Sequence, residues 1–160
     1  MTILERLLRY LDVNDVLYLH TVHEPVFTAR QLAAVEHVPP RDVAKVVVFH
    51  SERGYAMAVL PADKLLDLKE LRSTLALSHV RLANEQELAD LFPDCELGAM
   101  PPFGNLFGLR VYVDQDLDAE NLIAFNAGTH DDVIETHYRD FKRLVNPRVM
   151  PLAHAAYAWK

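Results

Sequence analysis

A mixed α/β domain of the α+β kind, with helices packed outside a mixed sheet, is what the sequence predicts for residues 1–160. Three observations carry this expectation. Helical stripes and β-hairpins alternate irregularly, without the strict βαβ repeat of a doubly wound sheet. Hydrophobic residues make up 51% and charged residues 24%, which excludes disordered and collagen-like classes. No repeat, low-complexity run or linker divides the chain, and a chain of 160 residues buries roughly two thirds of its unfolded surface around one core.

The elements follow in order. Ile3, Leu4, Leu7, Leu8 and Leu11 form an amphipathic helical stripe that Asp12 and Asn14 bring to an end. Val16 to Val22 is rich in β-branched and aromatic residues, reads as extended, and is stopped by Pro25. Thr28-Ala29-Arg30-Gln31 is a capping box, opening a helix to about His37 that Pro39-Pro40 closes. Ala44 to His50 and Tyr55 to Leu60, joined by Ser51-Glu52-Arg53-Gly54, predict a β-hairpin. Its first strand is apolar on both faces and is therefore expected to be central and buried. Asp67 and Asn84 each stand three residues before a glutamate and cap two further helices, with a short strand from His79 to Leu82 between them. Leu109 to Val113, Leu122 to Phe125 and Asp132 to His137 read as strands, the last pairing with the second across the turn Asn126-Ala127-Gly128-Thr129. Tyr138 to Val145 is a closing helix ended by Asn146-Pro147, and the tail after Pro151 is expected to be loose.

Composition narrows the function classes. The N-terminal apolar residues are interrupted by charges too often for a signal-peptide core or a membrane span, and the single Cys95 fits a reducing compartment. A cytoplasmic protein with no membrane partner is the expectation. A net charge of −7 argues against a DNA-coating or other non-specific nucleic-acid binder, so a nucleic-acid partner would need a local basic patch.

One stretch is shaped more sharply than any other, Gly98-Ala99-Met100-Pro101-Pro102-Phe103-Gly104. Two glycines and two prolines make a rigid loop that either turns the chain or presents backbone N–H groups to a ligand. Lys45 opens an otherwise apolar strand, either snorkelling to the strand end or standing as a fixed positive charge at a cleft mouth. His130 follows Gly128-Thr129 in a turn and is expected to be exposed. His20 and His23 fall on opposite faces of a strand with no carboxylate to complete a metal set, so neither metal nor other cofactor is expected. Asp114 to Asp118 starts like a calcium loop, but Ala119 stands where glycine is needed and Phe125 where glutamate is needed. Asp131-Asp132 reads as solvated charge, and Cys95 has no base beside it to make a nucleophile. No Walker loop, G-x-S-x-G, dinucleotide fingerprint or H-E-x-x-H is present.

These places also carry a resemblance. Val43 to Phe49, Ala58 to Asp63, Leu82 to Leu88 and above all Gly98 to Gly104, continued by Val111 to Asp114 and Phe125 to Gly128, resemble the YbaK/prolyl-tRNA-synthetase-associated family of aminoacyl-tRNA deacylases over about residues 15 to 145. The resemblance implies a curled mixed sheet or partial barrel and a trans-editing enzyme that hydrolyses the ester of a mischarged tRNA, such as alanine on proline tRNA. It implies catalytic roles for Lys45, which holds the tRNA 3′ end, for Gly98, whose backbone approaches the ester, and for His130, which contacts the terminal adenosine. Pro101, Pro102, Phe103, Gly104, Phe49, Arg81, Gly128 and Thr129 are the implied substrate-binding positions. The implied partners are the tRNA acceptor end, reached by charges such as Lys45, Arg81 and Arg110, and an aminoacyl-tRNA synthetase. No strong side-chain base is visible, so the ribose hydroxyl beside the ester is the implied activator of water. A non-catalytic module that binds a tRNA end or a synthetase is the alternative reading.

Overall fold

A computed structural model describes residues 1–118 and 120–155. The first helix, α1 (Ile3–Val13), starts where the Thr2 hydroxyl accepts the Glu5 N–H, and buries Ile3, Leu7 and Leu11. After β1 (Tyr18–Val22), α2 (Ala29–Glu36) carries the expected capping box, Thr28 and Gln31 each satisfying the other's backbone N–H.

The hairpin strands β2 (Ala44–Ser51) and β3 (Gly54–Pro61) pair antiparallel along their whole length. They lead through β4 (Lys64–Leu66), α3 (Leu68–Thr74), β5 (Val80–Leu82) and α4 (Glu85–Leu91) to the glycine-proline loop. The Asp67 and Asn84 caps are both formed. Beyond the loop come β6 (Arg110–Asp114), the helical turn α5 (Gln115–Asp118), β7 (Leu122–Asn126), β8 (Asp132–His137), α6 (Tyr138–Val145), β9 (Arg148–Met150) and β10 (Ala153–Ala155).

A five-stranded mixed sheet runs in the order β5-β2-β3-β6-β9, its β3/β6 and β6/β9 pairs parallel and the others antiparallel. An antiparallel sheet β1-β8-β7 stands beside it, and a parallel bridge between Val43 and Ala124 joins the two. The sheets do not close into a barrel. Met57 and Val59 of β3 face one core with α1, Phe103, Phe125 and Phe141, while Ala58 and Leu60 face a second core under Leu71 of α3 and its C-cap Leu75.

Two expectations are corrected. The central buried strand is β3, not β2, because β2 borders open space at Lys45, Val46 and Val47, all partly exposed. The chain after Pro151 is not loose through Ala155. Leu152 is fully buried, its N–H donates to the buried Asp114 carboxylate at 3.1 Å, and β10 pairs with β4. The last five residues of the tail lie outside the described ones. Among the described residues no helix is long and apolar enough to cross a membrane.

Candidate functional site

The seam between the two sheets opens into a cavity of about 500 Å³. The start of β2 supplies Lys45 and Val46, the first turn of α2 supplies Thr28 and Arg30, and the glycine-proline loop supplies Gly98 and Met100. Topology explains the gathering. The Val43 bridge to Ala124 holds the beginning of β2 against β7, which brings Asn126 to the same wall. Along Ala44 to Val46, β2 is paired with β3 on one edge only, since β5 begins pairing at Phe49.

The cavity favours anions for three reasons. The Lys45 ammonium is half-buried and donates to the Lys64 carbonyl at 2.5 Å. Burial lowers its pKa from the ordinary lysine value, the nearby Arg30 charge lowers it further, and Asp63 opposes them. Two cations forced together in partly desolvated surroundings gain from an anion set between them. The N-terminus of α2, with its aligned peptide dipoles, adds to the same field.

Gly98 adopts φ +84°, a left-handed conformation that suits glycine. A Cβ there would meet only His130 Cε1, at an ordinary 3.7 Å, so the backbone conformation rather than lack of room calls for glycine. The N–H groups of Gly98 and Met100 have no hydrogen-bond partner among the described residues, in keeping with the expectation of a loop that offers backbone donors.

Behind this wall, the turn Gly128-Thr129-His130 grips the loop. The Glu96 N–H donates to the Gly128 carbonyl and the Gly128 N–H to the Ala99 carbonyl, both at 2.9 Å. The His130 N–H donates to a Glu96 carboxylate oxygen at 2.8 Å. The His130 ring stands between two carbonyl oxygens, Nε2 2.7 Å from that of Leu97 and Nδ1 3.1 Å from that of Val26, and packs at a 45° tilt against Phe27 with ring centres 4.7 Å apart. It is thus part-buried and bonded, not idle in solvent, and it backs Phe27 and Gly98 rather than lining the cavity.

The other expected positions go elsewhere. Phe103 is wholly buried against Phe125 and Phe141, and a Cβ on Gly104 would lie 2.5 Å from Val111 Cγ2, so the second half of the loop is core. Pro101 and Pro102 are buried beside it. Phe49 shares a strand face with Lys45 but lies four residues along, beneath α3 in the second core. Arg81 is spent on Glu87, which it clasps through both nitrogens at 2.7 and 2.9 Å. Gly128 packs on Ile3, and the Thr129 hydroxyl donates to Asp132, shaping the turn from outside the cavity.

Two sequence readings change. His20 and His23 each have a carboxylate, Asp132 at 2.7 Å and Glu36, although no cluster fit for a metal ion forms among the described residues. Asp132 is part-buried in that pairing, not solvated. The Cys95 thiol donates to the Glu96 carbonyl, and burial followed by the Glu96 charge pushes it up to about 12, which leaves no thiolate near neutral pH.

Sequence reasoning missed Arg30, Phe27 and Met100 as cavity residues. The capping box at Thr28 was the available signal, because it fixes where the positive end of a helix lies. What it faces depends on contacts far apart in sequence.

Comparison with known proteins gives the site a context. The family description "Aminoacyl-tRNA editing domain" fits residues 23–144. The chain is 26% identical over 157 residues to the multifunctional Ser/Thr-tRNA deacylase ProXp-y of Escherichia coli strain K12, covering 95% of this chain and 93% of that protein. It is 31% identical over 87 residues to the proline–tRNA ligase of Thermosipho africanus, covering 54% of this chain but only 15% of the ligase. Its fold matches the crystal structure of a candidate trans-editing enzyme for prolyl-tRNA synthetase, with a TM-score of 0.84, 20% identity and coverage of 97% of this chain and 99% of that one.

Proposed function

Because the chain belongs to the aminoacyl-tRNA editing family, matching it over residues 23–144, we propose that it hydrolyses the ester of a tRNA charged with a small amino acid, alanine on proline tRNA being the expected substrate. The observation that carries this reading is one cavity lined by Lys45, Arg30, Gly98 and Met100, the last two with N–H groups that have no partner among the described residues. The cations suit a phosphate of the tRNA 3′ end, and backbone donors on a rigid loop suit the oxygen that gains charge as the ester is attacked. Thr28 and Asn126 add polar groups to walls whose apolar part includes Val43, Val46, Leu65, Met100 and Phe27, a lining matched to a small side chain. The ligase and ProXp-y likenesses support a substrate of this class.

The chemistry needs little more. Water adds to the ester carbonyl, the tetrahedral oxyanion is held by loop N–H groups, and the ester C–O bond breaks to give free amino acid and a ribose 3′-hydroxyl. The neighbouring 2′-hydroxyl takes the water's proton and passes one to the leaving oxygen, so the protein's part is orientation and electrostatics. His130 serves as a positioning residue, tying Gly98 and Phe27 together from behind. Such a second site has a purpose because synthetase pockets separate small side chains poorly.

The test is release of labelled amino acid from a panel of tRNAs charged with alanine, serine, threonine and proline, with proline tRNA carrying alanine as the first member. Multiple turnover on at least one mischarged member supports the enzyme. Saturable binding without turnover would establish the non-catalytic module instead.

A further inference from the structure

The face of β2 that carries Lys45 also carries Val47, Phe49 and Ser51, since alternate residues of a strand share a face. At the Ser51 end, about 20 Å from Lys45 by strand rise, lies a second cavity of about 290 Å³. Its rim holds Arg53, at the hairpin turn, and Arg110, at the start of β6. Neither guanidinium has an ion-pair or hydrogen-bond partner among the described residues. That matters in a chain of net charge −7, where Arg81, Lys64 and Lys142 are each neutralised by a carboxylate.

The backbone makes room for a ligand there. Ala56 lies opposite Arg110 in the parallel β3/β6 register, and with Gly54 and Gly108 it leaves space beside Arg110, between walls of Phe49, Leu75, Leu77 and Tyr112. Ser51 is buried at the cavity wall, its hydroxyl accepting the Arg53 N–H at 3.1 Å. Two carboxylates of neighbouring segments are engaged elsewhere. Glu52 accepts the Ser78 N–H at 2.6 Å, and Glu87 is held by Arg81 and Tyr55.

We infer that this cleft is a second phosphate-binding site, in which Arg53 and Arg110 clasp a backbone phosphate of the same tRNA whose 3′ end lies at Lys45. The inference rests on the proposed editing function. Two planar guanidiniums lining one cleft suit a phosphate, and about 20 Å corresponds to roughly six stacked nucleotides along one strand, fewer if the strand is extended. The site therefore reads the strand leading out of the acceptor end and not the aminoacyl group.

The double variant Arg53→Gln, Arg110→Gln tests it. With charged full-length tRNA, KM rises roughly fivefold to twentyfold while kcat holds, and the slope of log(kcat/KM) against log salt becomes shallower by roughly 0.7 to 0.9, as expected for one phosphate. With an aminoacylated CCA trinucleotide, too short to reach the second cavity, variant and wild type perform alike. An unchanged KM for full-length tRNA overturns the inference, as does an equal loss on the trinucleotide. Binding of an uncharged acceptor-stem minihelix, with inorganic phosphate as competitor, is measured in parallel. If the wild type hydrolyses no charged tRNA the editing reading fails, and the second site then stands or falls on whether the variant binds the minihelix more weakly. Competition by free phosphate at equal potency would show a site for small anions and overturn the RNA assignment.

Discussion

Replacing Lys45 by methionine removes the ammonium and keeps most of the stem that packs along β2. A hydrogen bond from a charged donor to a phosphate is worth about 1.5–3 kcal/mol, and each 1.36 kcal/mol is tenfold in rate, so kcat/KM should fall roughly 10- to 150-fold. Arg30 remains in the same cavity and keeps the loss toward the lower end. The fold should barely notice. The Lys64 carbonyl loses a donor, at a cost of about 1 kcal/mol. Against that, the lowered pKa means that folding disfavours the Lys45 cation, so removing the charge returns part of the cost. A thermal midpoint within about 3 °C of wild type is expected, using about 2–4 °C per kcal/mol for a chain of this size. The pH profile supplies a second readout. Wild-type kcat/KM, corrected for spontaneous ester hydrolysis, should decline below the ordinary lysine pKa of about 10.4, and the variant should lack that limb. A methionine variant within threefold of wild-type kcat/KM, with its melting curve unchanged, would refute the role given to Lys45.

Four further outcomes can be checked together. Gly98→Ala should lose about 1–2 kcal/mol from its left-handed backbone and most of its deacylation, with Gly98→Asn, which tolerates that conformation better, melting closer to wild type; Gly104→Ala should instead destabilise by about 1–3 kcal/mol through its clash with Val111 while folded molecules keep their activity. Cys95→Ala should deacylate at the wild-type rate, since a thiol pushed up to about 12 supplies no nucleophile. Glu135, set against the Glu36 carboxyl and partly buried, is raised to about 7, so its stabilising effect is complete below the unfolded glutamate pKa and is lost as pH rises through about 7; the midpoint of wild type should drop across that window and that of Glu135→Gln should drop less.

What the sequence could and could not reveal follows from the range over which each feature is determined. The caps at Thr28, Asp67 and Asn84 were legible because a cap is settled within four residues, and all three form. The pairing of β7 with β8 was legible because a short turn joins them. The strands β4, β9 and β10 were not, since they exist because Leu152 and Met150 find a core prepared by distant segments. The site divides in the same way. Lys45 and Gly98 stood out through local oddity, a charge in an apolar strand and a glycine in a rigid loop, and the fold brings both to one cavity. Phe49, Phe103 and Gly104 stood next to those residues in sequence but went into the cores, because neighbours along a loop or strand do not share a destination.

Arg30 shows why position in the fold outweighs residue type at this site. In the sequence it is one more polar residue in a capping box, and Arg81 is the better candidate because it lies close to a motif. In the folded chain Arg81 is neutralised by Glu87, whereas Arg30 comes near enough to Lys45 to depress its pKa. The difference is set by the Val43 to Ala124 bridge, which fixes where β2 begins relative to the second sheet and so which cation meets the cavity. The strength of the anion site at Lys45 therefore depends on the seam between two sheets, and a substitution that loosens that seam should weaken substrate binding without touching a charged residue.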